Sequence, residues 1–188
     1  MTFQLSGLSI GRLKFVNPKL IDVVNAAALA PTAQEFIVSE GVRGDADQLL
    51  DFIKHASKLN GIPIGQTQMT RYGLIHGTGR GNHQLDLSDH TGHAVDLAPV
   101  INGVVWGVGL TDEQKWEHCY PIADQMRAAA ISHGTRIRWG GDWDQCLNDM
   151  PGGVDALKAA RAAYVERFKA AHAGRPPLAD GPHFELHA

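Results

Sequence analysis

The densest chemistry in the chain lies in Ser88-Asp89-His90-Thr91-Gly92-His93-Ala94-Val95-Asp96, where His90, His93 and Asp96 are potential metal ligands in one short segment. Asp96 stands between Val95 and Leu97. A carboxylate in such apolar surroundings is costly unless a metal, an arginine or several hydrogen bonds meet it. A structural carboxylate paired with an arginine is the plain alternative. The second segment is Asp180-Gly181-Pro182-His183-Phe184-Glu185-Leu186, which delivers a histidine at the start of a strand with an aspartate just ahead of it. Neutral imidazole nitrogens and one carboxylate make a three-ligand catalytic zinc site, with the fourth position left for water. The chain carries 10 histidines, and His55, His76, His118, His133, His172 and His187 read as solvated side chains. Cys119 and Cys146 have no C-x-x-C spacing and read as free thiols.

These residues need elements to hold them. Leu20, Val23, Val24, Ala27 and Ala28 recur at helical spacing behind Pro18, which predicts a helix from about Pro18 to Leu29. Phe36 to Glu40 reads as a strand with Arg43 just beyond its end, and Asp45 to Leu59 as a second helix. From Gly65 to Asp89 no period survives, and the segment reads as a long loop or lid. Its glycines lack the G-x-x-x-x-G-K-[ST] pattern, so a nucleotide site is rejected. Ala94 to Val100 and Val104 to Trp106 read as a hairpin around Asn102-Gly103. A helix is expected from near Pro121 to Gly134, then an exposed strand over Thr135 to Trp139, broken by Gly140-Gly141. Val154 to Phe168 forms an amphipathic helix, with Lys158, Arg161 and Arg167 as a modest basic face, and Phe184 to His187 the last strand. Short strands between helices, without βαβ alternation, predict an α+β fold with a small, mainly antiparallel sheet flanked by helices.

The length of 188 residues suits one domain, 1–188, with the lid at about 65–89 and a helical insertion at about 152–174. With 44% hydrophobic and 20% charged residues the chain is a folded globular protein. The balance of 17 Lys and Arg against 20 Asp and Glu offers no broad basic surface for nucleic acid, and it disfavours a metal-dependent nuclease. The longest apolar stretch, Val23 to Ala30, is interrupted by Asn25 and too short to span a bilayer, so no membrane insertion is expected. The first fifteen residues carry polar side chains where a secretory signal needs an apolar core, which points to a cytoplasmic start. A monomer is expected.

Ser88 to Asp96, Pro182 to Leu186 and Val38-Ser39-Glu40-Gly41-Val42-Arg43 resemble the zinc-dependent peptidoglycan peptidases of phage endolysins. That family includes L-alanyl-D-glutamate peptidases and is related to the D-alanyl-D-alanine carboxypeptidases. Tyr120-Pro121-Ile122-Ala123-Asp124 and Arg138-Trp139-Gly140-Gly141-Asp142-Trp143 also match the endolysin pattern, so the likeness runs discontinuously over most of the chain. The resemblance implies a DD-peptidase or hedgehog-like zinc peptidase fold. It puts the second metal ligand on Asp96, the third on His183, the general base on Asp180, an oxyanion- or substrate-binding arginine on Arg43 and a supporting hydroxyl on Ser88. The family pattern Ser-x-His-x-x-Gly-x-Ala-x-Asp is one residue shorter here. Anchored on Ser88 it selects His90 as first ligand, and anchored on Asp96 it falls on Asp89, with His83 and His93 as further candidates.

What the resemblance implies is a Zn2+ peptidase cutting the L-alanyl-D-glutamate bond of the peptidoglycan stem peptide in phage lysis. Such an enzyme would gather in the host cytoplasm and reach the wall through a separate membrane-permeabilising protein. Trp139 and Trp143 are expected to wall the cleft. Two rivals stand beside this reading: a D-alanyl-D-alanine carboxypeptidase, and a non-catalytic wall-binding relative that has lost its first ligand.

Overall fold

A central antiparallel strand, bordered on both sides, organises the molecule. The computed structural model describes residues 3–31, 34–42 and 92–187. The helix expected over Asp45 to Leu59 and the lid at about 65–89 lie outside the described residues. The helices are α1 (Gly7–Arg12), α2 (Pro18–Ala28), α3 (Asp112–Ser132) and α4 (Val154–Ala171). The strands are β1 (Phe36–Glu40), β2 (Ala94–Ile101), β3 (Val104–Val105), β4 (Ile137–Trp139), β5 (Asp142–Cys146) and β6 (His183–Leu186). They form one sheet in the order β1-β2-β6-β4-β5, with β3 paired to β2, and every pairing is antiparallel. The expected α+β class with a mainly antiparallel sheet is what the chain adopts.

Local chemistry explains most boundaries. Asn17 caps α2 by accepting from the Lys19 amide, and Pro18 occupies the first turn, where its missing N–H is no loss. The β2–β3 turn has Asn102 and Gly103 at φ 51° and 78°, the left-handed pair that a tight hairpin requires. The third helix begins at Asp112 rather than near Pro121. Thr111 and Gln114 form a reciprocal capping box there, with Asp112 and Glu113 in the first turn, and Pro121 is carried inside the helix. The expected exposed strand is interior: β4 lies between β6 and β5, and Ile137 and Trp139 are fully buried. Helix α1 and strand β5 are among the elements that went unpredicted. Helix α1 is only six residues long and leaves Leu8 and Ile10 exposed, and the polar sequence of β5 hides its strand character.

Because side chains alternate across a strand, the sheet has two distinct faces. Val95 and Leu97 of β2, Phe184 of β6, and Ile137 and Trp139 of β4 join Leu20 and Val23 of α2 and Ile122 and Met126 of α3 in one core cluster. Each such fully buried side chain contributes about 1.5–3 kcal/mol. The residues between them in sequence, Asp96, His183, Glu185 and Arg138, belong to the opposite face. The basic residues expected on α4 are paired within the chain. Lys158 pairs with Glu117, Arg161 lies over Trp116 and donates to Tyr120, and Arg167 reaches Asp142 and Asp144. Among the described residues no helix is long and apolar enough to cross a membrane.

Candidate metal centre

Strand register brings the two chemical segments together. Asp96 on β2 sits directly opposite His183 on β6, and His183 Nδ1 lies 3.0 Å from Asp96 Oδ1. Asp180 joins them across a tight turn in which the His183 amide donates to the Asp180 carbonyl. One ligating atom from each of Asp96, Asp180 and His183 falls within 4.8 Å of the others, the one such group among the described residues. Ligands about 2.0–2.1 Å from a tetrahedral cation stand roughly 3.3 Å apart, so this spacing and this nitrogen–oxygen donor set fit a divalent metal such as zinc.

The Asp180 turn is held by β4. The Asp180 amide donates to the Gly140 carbonyl at 2.8 Å, the Gly140 amide donates to the His183 carbonyl at 3.0 Å, and the Trp139 indole N–H donates to the Gly181 carbonyl at 2.8 Å. Trp139 is therefore scaffold, fully buried in the core, and does not wall the cleft as expected. Its packing against Trp116 and Tyr120 explains why it turns inward. Trp143 does border the site, with its ring centroid 5.1 Å from that of His183 and its indole N–H donating to the Leu178 carbonyl.

His183 is 8% exposed and has a second carboxylate on its other side, Glu185, 3.2 Å from Nε2. Burial alone would lower the imidazole's pKa, but the hydrogen bonds to Asp96 and Glu185 and the charges of Asp96 and Asp180 overcome it and raise it to about 9. Glu185 and its partner Arg138 were assigned no role from sequence. The available signal was the two-residue spacing from His183 to Glu185, which puts both on one face of a strand.

Of the other residues singled out, Arg43, His83, Ser88, Asp89 and His90 lie outside the described residues. His93 does not join the Asp96 group. It lines a separate hollow of about 620 Å³ with Lys19, His133, Arg136 and His187. Beside Asp180 a smaller hollow of about 260 Å³ is lined by Trp106, Asp112, Lys115, Trp116 and Pro182. Cys119 and Cys146 are free and buried, as expected of unpaired thiols.

Two carboxylates and a histidine in ligating range on an α+β sheet fit a metal centre, and comparison with known proteins points to a peptidase. Residues 81–151 match the profile of a family described as D-alanyl-D-alanine carboxypeptidase. The crystal structure of Serratia marcescens L-Ala D-Glu endopeptidase ChiX superposes with a TM-score of 0.51 and 27% sequence identity, covering 100% of this chain and 90% of that one. No curated protein matches the chain. Both matches support a metallopeptidase, and the chain is similar to the D-alanyl-D-alanine carboxypeptidases and to the L-Ala D-Glu endopeptidase, as its motifs implied.

Proposed function

We propose that the chain is a zinc-dependent peptidoglycan endopeptidase that hydrolyses the L-alanyl-D-glutamate bond of the stem peptide, acting as a phage endolysin. The observation that carries this reading is the convergence of Asp96, Asp180 and His183. Asp96 and His183 would hold the metal together with a histidine from the segment preceding β2, His90 by the motif. Zinc, when bound, supplies a Lewis-acid centre that polarises the scissile carbonyl and makes a water acidic enough to attack near neutral pH. Asp180 takes the proton of that water and returns it to the leaving amine. Arg43, always protonated, steadies the oxyanion or a substrate carboxylate, and Ser88 supports the ligand loop. The hollow beside Asp180, walled by Trp106 and Trp116, gives the peptide room next to the base. Made in the host cytoplasm, such an enzyme would reach the wall through a separate membrane-permeabilising protein.

The family description on residues 81–151 favours a second reading, a D-alanyl-D-alanine carboxypeptidase. Digestion of purified peptidoglycan with identification of new termini separates the two. New D-glutamate amino groups without free D-alanine support the endopeptidase, and release of D-alanine alone supports the carboxypeptidase. No product at all, with zinc present, returns the chain to the wall-binding class.

A further inference from the structure

Glu185 is 3% exposed, yet it is a carboxylate in the middle of a sheet. Burying an ion pair in place of well-packed apolar residues brings little or negative stability, so its presence calls for a purpose other than packing. Among the described residues its two oxygens face two side chains. Oε1 accepts from Arg138, from Nε at 2.7 Å and also from Nη2, while Oε2 faces His183 Nε2 at 3.2 Å. Register enforces this arrangement, because Arg138 and Glu185 are directly paired between β4 and β6. The other imidazole nitrogen, Nδ1, faces Asp96. Trp143 packs against the same ring.

We propose that Glu185, oriented by Arg138, is the positioning residue of the metal centre: it accepts the Nε2–H of His183, fixes the ring orientation, and so leaves Nδ1, which pairs with Asp96, as the nitrogen that would shed its proton and ligate the metal. Carboxylates behind metal-bound histidines act this way, aligning the ring and raising its basicity as a ligand. Arg138 keeps the Glu185 oxygen aimed at Nε2 by occupying the other oxygen, and the strand pairing keeps Arg138 in place. The inference rests on His183 being a metal ligand.

The test is zinc affinity, measured by competition with a chromophoric chelator, together with ¹⁵N-histidine NMR of the zinc-loaded protein. The wild type should show His183 protonated at Nε2 and metal-bound through Nδ1. Glu185→Ala should bind zinc roughly 10- to 100-fold more weakly and lose the protected Nε2–H signal. Glu185→Gln, whose amide oxygen can still accept the proton, should recover part of the affinity and keep the Nε2–H tautomer. If Glu185→Ala fails to fold, Glu185→Gln alone decides. A His183 bound through Nε2 in that variant, or in the wild type, overturns the proposal. Wild-type affinity in a folded Glu185→Ala overturns the positioning role while leaving the metal reading intact. A wild type that binds no zinc overturns both.

Discussion

The Asp180 amide donates to the Gly140 carbonyl, and a Cβ on Gly140 would lie 2.2 Å from the Asp180 carbonyl oxygen. The glycine pair that ends β4 is thus the seat on which the proposed base rests, and the close approach leaves no space for a side chain. Gly140→Ala is expected to destabilise the fold by about 1–3 kcal/mol, the scale of overpacking, and to lower turnover by about 100-fold, as a 1 Å misplacement of a reacting group can. Urea midpoints and peptidoglycan digestion measure the two effects. Gly11→Ala, where nothing lies within 4 Å of the added carbon, is the control and should keep turnover. Unchanged turnover in Gly140→Ala would separate Asp180 from catalysis.

Asp180 is close enough to Asp96 and His183 to serve either as base or as ligand, and substitution tells these roles apart. Asp180→Asn is expected to keep its zinc and its circular dichroism spectrum while turnover falls by at least about 100-fold, the usual scale for removing general acid–base catalysis. Loss of zinc in step with activity would make Asp180 a ligand instead.

Asp96 and His183 were legible in the sequence because each breaks a local rule: one is a carboxylate inside an apolar strand, the other a histidine at a strand start behind an aspartate. Strand β2 and its hairpin were equally readable, since Asn102-Gly103 states its turn type outright. Trp139 was misjudged because a tryptophan beside two glycines looks the same whether it turns to a cleft or to a core, and only the register of β4 with β6 decides. The start of α3 was misplaced for a related reason. Pro121 carries the usual signal of a helix beginning, and the capping box ten residues earlier outweighs it. Glu185 and Arg138 are adjacent only through pairing of strands far apart in sequence, which no local pattern encodes.

Cys119 lies under the Asp180 turn, close enough that a Cβ on Gly181 would stand 2.9 Å from its sulfur. Burial, with the charge of Asp180 adding to it, pushes the thiol up from 9.0 to about 12. The sign follows from that rise. The fold favours the protonated thiol, so this contribution is fully present below pH 9 and is lost as pH climbs from 9 toward 12. At pH 8.5 iodoacetamide should label Cys119 slowly in the native protein and quickly in urea, as peptide mass spectrometry will show. Equal rates in both states would place the thiol at the surface.

On the proposed reading the remaining metal ligand would come from the segment before β2, with His83, His90 and His93 as its candidates. If Asp180 is the base, Asp96 and His183 would supply two of the three protein ligands a catalytic zinc site uses. His93 is placed elsewhere, in the hollow with Lys19, His133 and His187. His93→Ala is therefore expected to retain its zinc. The Ser88-x-His90 spacing selects His90, so His90→Ala should lose the metal while His83→Ala keeps most of it. Because the ligands must shed their protons to bind, wild-type affinity should also weaken as pH falls. Elemental analysis of each purified variant, followed by chelator competition across pH, checks these outcomes together. Loss of zinc in His83→Ala alone would move the first ligand into the glycine-rich segment and replace the alignment anchored on Ser88.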